Sequence, residues 1–329
     1  MSVYVVTGGA GFIGSNVVAE LSDRGAAVVV CDWLRSDERW RNLAKHGIVD
    51  LIPPEALLGW LERNRHDVEA VVHLGAISST TETDVDLIVR NNVRSTLDLV
   101  QWCTDAGKRL IYASSAATYG DGSAGFDDTP GCEALSRLRP LNAYGWSKHF
   151  VDRRVASLAA QGRPLPPQWV GLKFFNVYGP NEYHKGSMRS VVAQNFPRVQ
   201  RGEAVRLFRS RRADYADGGQ LRDFIYVKDC VAVISWLLGN RGVCGLFNVG
   251  TGAARSWLDL ANALFSAAGR PARIEFVDMP PELVEKYQYF TQAHVDRLRA
   301  AGYRDPFTTL EAGVADYVQQ YLARGDPYR

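Results

Sequence analysis

The five cysteines, Cys31, Cys103, Cys132, Cys230 and Cys244, are odd in number, widely spaced and contain no C-x-x-C pair. That pattern excludes a disulfide framework and a thiolate zinc site, and leaves them as reduced, mostly buried small hydrophobes; no metal is expected. Net charge is also nearly absent: 38 Lys+Arg against 36 Asp+Glu leave a formal +2, which argues against a polyanion binder. No nucleic-acid partner is therefore expected, the only candidate patch being the Arg206–Arg222 cluster. No stretch approaches the roughly 18 to 20 apolar residues of a membrane span. Met1 leads straight into Val3–Thr7 without the basic and apolar regions of a secretory signal. The expectation is a soluble, cytoplasmic protein with no membrane partner. Internal repeats and low-complexity tracts are missing too. What remains is a globular composition, 46% hydrophobic and 22% charged, over 329 residues, too long for one simple core.

Short apolar runs alternate with amphipathic stretches through the first half, the pattern of βαβ units. The expected strands are Val3–Thr7, Ala27–Asp32, Ala70–Leu74, Arg109–Ser114 and Val170–Phe175, and the expected helices Ile13–Arg24, Pro54–Arg65, Leu87–Ala106 and Tyr144–Ala160. Near-continuous apolar strands suit a parallel sheet covered on both faces. After Phe175 the rhythm loosens at Pro180, Pro197 and the polar, loop-like stretch Arg209–Gln220, before helix-like Val227–Leu238 and strand-like Leu246–Val249.

The opening strand runs into Gly8-Gly9-Ala10-Gly11-Phe12-Ile13-Gly14 and then a helix. Glycines at 8, 11 and 14 permit a tight turn, close backbone approach to a pyrophosphate and close helix–sheet packing. Asp32 ends the second expected strand, 18 residues beyond Gly14, where an acid commonly accepts from the adenosine ribose and favours NAD. Arg35 and Arg39 follow, and either guanidinium could pair with a ribose 2′-phosphate and favour NADP, or simply belong to a solvated charged loop with Arg41. The fold class is thus α/β, a Rossmann-type doubly wound parallel sheet. Residues 1–174 are expected to form the cofactor domain, with returning segments near 225–250, and residues 175–329 mainly a smaller, discontinuous α/β substrate domain.

Ser114-Ser115-Ala116-Ala117-Thr118-Tyr119-Gly120 follows the Arg109 strand, which puts a hydroxyl at the carboxyl end of the sheet. Tyr144 and Lys148 are four apart, so a helix brings both to one face. A phenol of pKa about 10 is a poor base, and lowering it by ~3 units needs ~4 kcal/mol of phenolate stabilisation. Lys148 and a cationic nicotinamide ring could supply that charge, and Ser115 could hydrogen-bond the reacting oxygen.

With these motifs and Phe175-Asn176-Val177-Tyr178-Gly179-Pro180, the sequence resembles the extended short-chain dehydrogenase/reductase superfamily, its nucleotide-sugar epimerases and dehydratases. The dehydratases carry an Asp–Glu pair after the catalytic hydroxyl residue; here Ala116 and Ala117 stand there, which points to epimerisation or simple redox chemistry. Four further segments, Ser78–Glu82, Asn181-Glu182-Tyr183-His184-Lys185-Gly186-Ser187-Met188, Tyr287–Ala293 and Leu298–Tyr303, make the chain similar to the ADP-glycero-manno-heptose 6-epimerases. That resemblance implies an isomerase acting on ADP-heptose, with transient oxidation at C6 by tightly bound NADP and re-reduction from the other face, in the supply of the lipopolysaccharide inner core.

The resemblance implies Tyr144 and Lys185 as the acid/base groups, with Lys148 and Ser115 completing the catalytic set. A lysine's ordinary pKa near 10.4 obstructs a base role unless desolvation or a nearby cation lowers it, and a phosphate-pairing or surface Lys185 is the other reading. His184 is expected to be structural. For the cofactor the resemblance implies Gly8, Gly11, Phe12, Ile13, Gly14, Asp32, Trp33, Arg39, Leu74, Gly75, Ala76, Ile77, Ser78, Asn91, Lys148, Val177 and Lys185. For the substrate it implies Ser79, Ser115, Asn176, Ser187, Gln194, Phe208, Ser210, Arg222 and Tyr287. Arg222 has its own rationale, pairing with a diphosphate or alternatively with Asp223. Trp33 stands where relatives carry Asn and Gln194 where a His can occur, and Arg209–Leu221 is longer than in compact relatives. Trp257, Phe265 and Tyr317 fall on helical stretches and read as core. A homo-oligomer is expected, of a subunit number no sequence feature gives.

Overall fold

The structure is a computed structural model and describes residues 2–281 and 287–329. Short, largely apolar runs build the sheet, with valine dense in the first, second and fourth: β1 (Val3–Thr7), β2 (Ala27–Cys31), β3 (Asp50–Ile52), β4 (Val68–His73), β5 (Arg109–Ser115) and β6 (Trp169–Phe174). β-branched side chains suit strands packed on both faces, and Val5, Val6, Val28, Val29, Val71 and Val72 are fully buried. Helices α1 (Phe12–Asp23), α2 (Leu57–Arg63), α3 (Val85–Ile88), α4 (Ser95–Ala106), α5 (Cys132–Ser136) and α6 (Ala143–Ala160) come from the intervening segments. α6 starts where the Asn142 side chain accepts from Gly145 N at 2.8 Å, an N-cap that sets the helix in phase before Tyr144.

Later segments then return. The chain forms β7 (Asn176–Tyr178), α7 (Val191–Gln200), β8 (Val205–Phe208), β9 (Leu221–Arg222), β10 (Phe224–Tyr226), α8 (Val227–Gly239), β11 (Gly245–Val249), β12 (Arg255–Ser256), α9 (Trp257–Ala267) and β13 (Ile274–Val277). β11 joins the parallel seven-stranded sheet, whose order is β11-β6-β5-β4-β1-β2-β3, while β7 pairs β10, β8 pairs β13 and β9 pairs β12. The order reverses direction between β1 and β4, so the carboxyl ends of those strands open a crevice. One buried cluster combines Val6, Val17 and Ile111 with Ile234, Leu298 and Tyr303, so α8 and residues near 298–303 pack on the sheet. A separate cluster joins Val192, Phe196, Phe224, Leu264 and Tyr317.

Three expectations need correction. Leu87–Ala106 is not one regular helix: a π-helical stretch, Val89–Arg94, separates α3 from α4. Pro54–Arg65 contributes a regular helix only over Leu57–Arg63, after a tight 3-10 turn at Pro54–Ala56. The edge strand β3 was not anticipated, being short and half exposed. All five cysteines are free and most are buried as expected, Cys132 and Cys244 being the exposed two.

Candidate active site

A cleft of about 570 Å³ opens over the carboxyl ends of the strands. β1 delivers the chain into the glycine turn. Gly8 has φ +65, and a Cβ there would sit 2.6 Å from Gly75 N, so only glycine lets this turn pass the loop after β4. α1 has no side-chain cap and no acid in its first turn, while Phe12, Ile13 and Gly14 line the cleft. Its uncompensated N–H groups and the positive helix end therefore face the opening. The Asp32 carboxylate accepts from Ala10 N at 3.0 Å and Trp33 N at 2.8 Å. Arg39 forks onto Asp37, Nε to Oδ1 at 2.8 Å and Nη2 to Oδ2 at 2.7 Å, and the Trp33 indole donates to Glu55 at 2.9 Å. Arg35 has φ 51 and also lines the cleft.

Ser115 ends β5, and its Oγ accepts from Ala117 N at 3.1 Å as the chain turns away. Gly145 lets α6 press on that turn, since a Cβ there would lie 2.6 Å from the Ala117 carbonyl oxygen. This contact brings Tyr144 and Lys148 beside Ser115. Burial raises the Tyr144 phenol above its ordinary value, and a hydrogen bond with Ser115 pulls it back. Burial pushes Lys148 down to about 8, with Asp152 acting the other way. His73 Nδ1 is 2.6 Å from Thr7 Oγ1, and Nε2 is 3.0 Å from Thr96 Oγ1. Gly75 N donates to the Thr7 hydroxyl and the Thr96 hydroxyl donates to Asn92 O, so Thr7 donates to Nδ1 and the ring proton sits on Nε2. Burial, followed by the nearby Lys148 charge, pushes His73 to about 3, keeping it neutral.

Asn92, on the π-helical stretch, clamps the next wall: Oδ1 accepts from Ile77 N at 2.8 Å, while Nδ2 donates to Ile77 O at 2.9 Å and Ser147 Oγ at 3.0 Å. The segment around Ile77 is thereby held against α6, with Asn91 lining the cleft alongside. The far wall comes from the segment after β7. Glu182 is buried and accepts from Ser190 N at 2.5 Å, Ser190 Oγ at 2.6 Å and the Tyr317 hydroxyl at 3.1 Å. The loop so closed places Lys185 Nζ 5.2 Å from the Phe12 ring centroid. Burial lowers Lys185 from its ordinary value, and Glu182 draws it partly back. His184 lines the cleft as well, pushed down to about 4 by burial.

The cleft thus gathers Ser115, Tyr144, Lys148 and Lys185 with Gly8, Gly11–Gly14, Asp32, Trp33, Arg39, Leu74–Ser79, Asn91 and Val177. Asn176, Ser187, Gln194, Phe208, Ser210, Arg222 and Tyr287 do not line it. Ser187 is exposed and its carbonyl accepts from Gln194 at 3.0 Å; Asn176 is exposed on β7. The Ser210 hydroxyl donates to Arg212 O at 2.8 Å within its own loop. Phe208, Arg222 and Tyr287 form a second group: the rings are 6.3 Å apart, and the guanidinium lies 5.2 Å from Tyr287 and 5.9 Å from Trp257. Trp257 is half-buried, packed between this cation and the core through Phe224, whose ring lies 5.0 Å away, and Phe265 and Tyr317 are fully core. The alternative Arg222–Asp223 bridge does not form, because Asp223 accepts from Thr251 N at 2.7 Å, Gly252 N at 2.9 Å and Ala293 N at 2.9 Å.

Fold and cleft together are those of a dinucleotide-dependent enzyme in which Ser115, Tyr144 and Lys148 share one cleft. The chain belongs to the NAD dependent epimerase/dehydratase family, whose family model matches residues 4–250. It is 51% identical over 329 residues to ADP-L-glycero-D-manno-heptose-6-epimerase of Nitratidesulfovibrio vulgaris (strain DP4), covering 99% of this chain and 100% of that one. The enzyme so named in Fusobacterium nucleatum subsp. nucleatum is 44% identical, with 98% of this chain and 99% of that one covered. Among solved structures, the Helicobacter pylori ADP-L-glycero-D-manno-heptose-6-epimerase is 28% identical with a TM-score of 0.77, covering 97% of this chain and 96% of that one. Thermus thermophilus UDP-glucose 4-epimerase in complex with NAD is 27% identical with a TM-score of 0.72, covering 96% and 97%. The chain is therefore an epimerase-type enzyme that uses a nicotinamide dinucleotide, and the uncapped α1, the glycine turn and Asp32 fit such a group.

Sequence reasoning did not single out His73, Asn92, Asp152, Lys173 or Glu182. Among the described residues no helix is long and apolar enough to cross a membrane.

Proposed function

We propose that this enzyme interconverts ADP-D-glycero-D-manno-heptose and ADP-L-glycero-D-manno-heptose by inverting C6, supplying heptose for the lipopolysaccharide inner core. The observation that carries this reading is that one cleft holds two acid/base groups on separate elements, Tyr144 on α6 and Lys185 on the loop after β7. Inverting a carbinol centre needs proton transfer at two faces, and one fixed base serves one face best.

The nicotinamide dinucleotide, when bound, supplies reversible two-electron oxidation of the sugar carbinol. The N–H groups of the glycine turn and α1 would hold its pyrophosphate, Asp32 its adenosine ribose, and Lys148 and Asn91 its nicotinamide side. Tyr144 takes or returns the hydroxyl proton on one face, with the Ser115 hydroxyl fixing the same oxygen and the Lys148 cation favouring the phenolate. Lys185 performs the matching transfer on the other face; its desolvation beside Phe12 gives it the lowered pKa such a base needs. Arg222, a buried cation stacked on Tyr287 and Trp257, would pair with the ADP diphosphate.

We assign NADP over NAD on the basic pair Arg35 and Arg39 at the ribose end, with Arg39 exchanging Asp37 for the 2′-phosphate. Identifying the nucleotide released on denaturing the purified protein decides this point, and release of NAD alone overturns it. The epimerase reading is tested by incubating each ADP-heptose with cofactor-loaded enzyme and following the C6 configuration by proton NMR. Convergence of both on one mixture is expected. Absence of interconversion refutes the assignment, and turnover of a GDP- or UDP-sugar instead would move the specificity elsewhere.

A further inference from the structure

Asp152 lies one turn beyond Lys148 on α6, and Lys173 interrupts the apolar run of β6. Both side chains are 0% exposed, with Lys173 Nζ 2.9 Å from Asp152 Oδ2. The same carboxylate accepts from Ser114 Oγ at 2.6 Å and from the Tyr112 hydroxyl at 3.3 Å. Lys173 also donates to Thr118 Oγ1 at 2.7 Å and stands 4.8 Å from the centroid of the Tyr119 ring. The pair therefore grips the chain on both sides of Ser115, at Ser114 and at Thr118, and ties it to the helix that bears Tyr144 and Lys148. A fully buried ion pair is a weak source of stability, since desolvation offsets most of its attraction and an apolar pair would pack as well.

We infer that Asp152 and Lys173 form a positioning pair, which fixes α6 against Ser115 and holds an anion against Lys148. The inference rests on reading Lys148 as the cation that supports Tyr144. The groups facing Lys148 are Tyr144 and Asp152 on its own helix and the neutral His73 on β4, with Lys173 on β6 behind the carboxylate. Asp152 is the one anion among the described residues that acts on it. Lys173 offsets part of that field, so removing either member should displace the Lys148 titration in opposite directions. A role in packing alone predicts no such opposition.

The sequence contains seven lysines, few enough for each ε-carbon resonance to be followed in protein labelled with 13C at lysine Cε. Lys148 is assigned by its disappearance in Lys148→Arg. In the purified, cofactor-loaded protein, Asp152→Asn should lower the Lys148 midpoint by about one pH unit, a tenfold change in its proton equilibrium, and Lys173→Met should raise it. The double variant Asp152→Asn/Lys173→Met buries no unpaired charge, so it should recover thermal stability while leaving Lys148 below its native midpoint. It carries the test should Asp152→Asn fail to fold. The alkaline limb of kcat should follow the same order with KM unchanged. An unchanged midpoint in all variants, or displacement in one direction by both single changes, overturns the proposal. Because the titration needs no turnover, a failure of the epimerase reading shows up separately, as absent interconversion with the displacements intact.

Discussion

Arg222 and Asp223 are neighbours in the chain yet are engaged in different places, the acid in backbone N–H groups of residues 251, 252 and 293, the base in ring faces and carbonyls. Arg222 is only 7% exposed, and among the described residues no carboxylate pairs with it. Burial accordingly lowers its pKa from the ordinary value. On the proposed function its partner is the ADP diphosphate of the substrate. Arg222→Met should raise KM for the nucleotide sugar roughly 10- to 100-fold, the loss of a charge-assisted hydrogen bond, with a smaller change in kcat. Steady-state kinetics check the split.

Tyr144→Phe removes one oxygen whose bonded neighbour is Ser115. Turnover should fall by about 10²- to 10⁴-fold. The retained nucleotide, measured by the absorbance ratio of the purified protein, should stay at the native level.

Lys185→Met keeps the stem against Phe12 and deletes the charge. Interconversion should fall by a similar factor of about 10² to 10⁴, read by proton NMR of C6. Melting temperature should hold or rise, because a desolvated cation is replaced by a thioether.

Burial pushes Lys148 down to about 8 in the folded protein from an ordinary 10.5. The cation that supports Tyr144 is therefore lost as pH rises through 8, and log kcat should decline with unit slope above it. The contribution to stability runs the other way: between 8 and 10.5 the unfolded chain binds more protons, so this group adds stability with rising pH. Kinetics and denaturant midpoints across that window should diverge.

Gly145→Ala drives a methyl into the Ala117 carbonyl and shifts α6 from the turn after Ser115. kcat should drop about tenfold or more with KM for the substrate little altered, since the Arg222 group lies elsewhere.

The sheet was legible because its inner strands are short, nearly continuous apolar runs, and the cofactor wall because Gly8, Gly11 and Asp32 stand at fixed intervals in a strand–turn–helix. Asn92 was not, since nothing in its surroundings reveals the π-helical register that turns it toward Ile77 and Ser147. Lys173 did leave a signal: a lysine inside Val170–Phe175 has to find an anion, and Asp152 continues the four-residue spacing from Tyr144 and Lys148. The orientation of Asp223 could not be read, as its acceptors' donors come from backbone near 251 and 293, distant in sequence.

The ladder between β6 and β11 pairs Val170 to Phe174 with Gly245 to Val249. Cutting the chain after residue 174 would therefore leave the first fragment's sheet without an edge strand and the second with an unpaired one. The segment leading to Lys185 is itself tied to the cofactor side, where Asn16 donates to Pro180 O at 3.0 Å and Asn42 to Asn181 O at 3.2 Å, so it cannot swing as a free door.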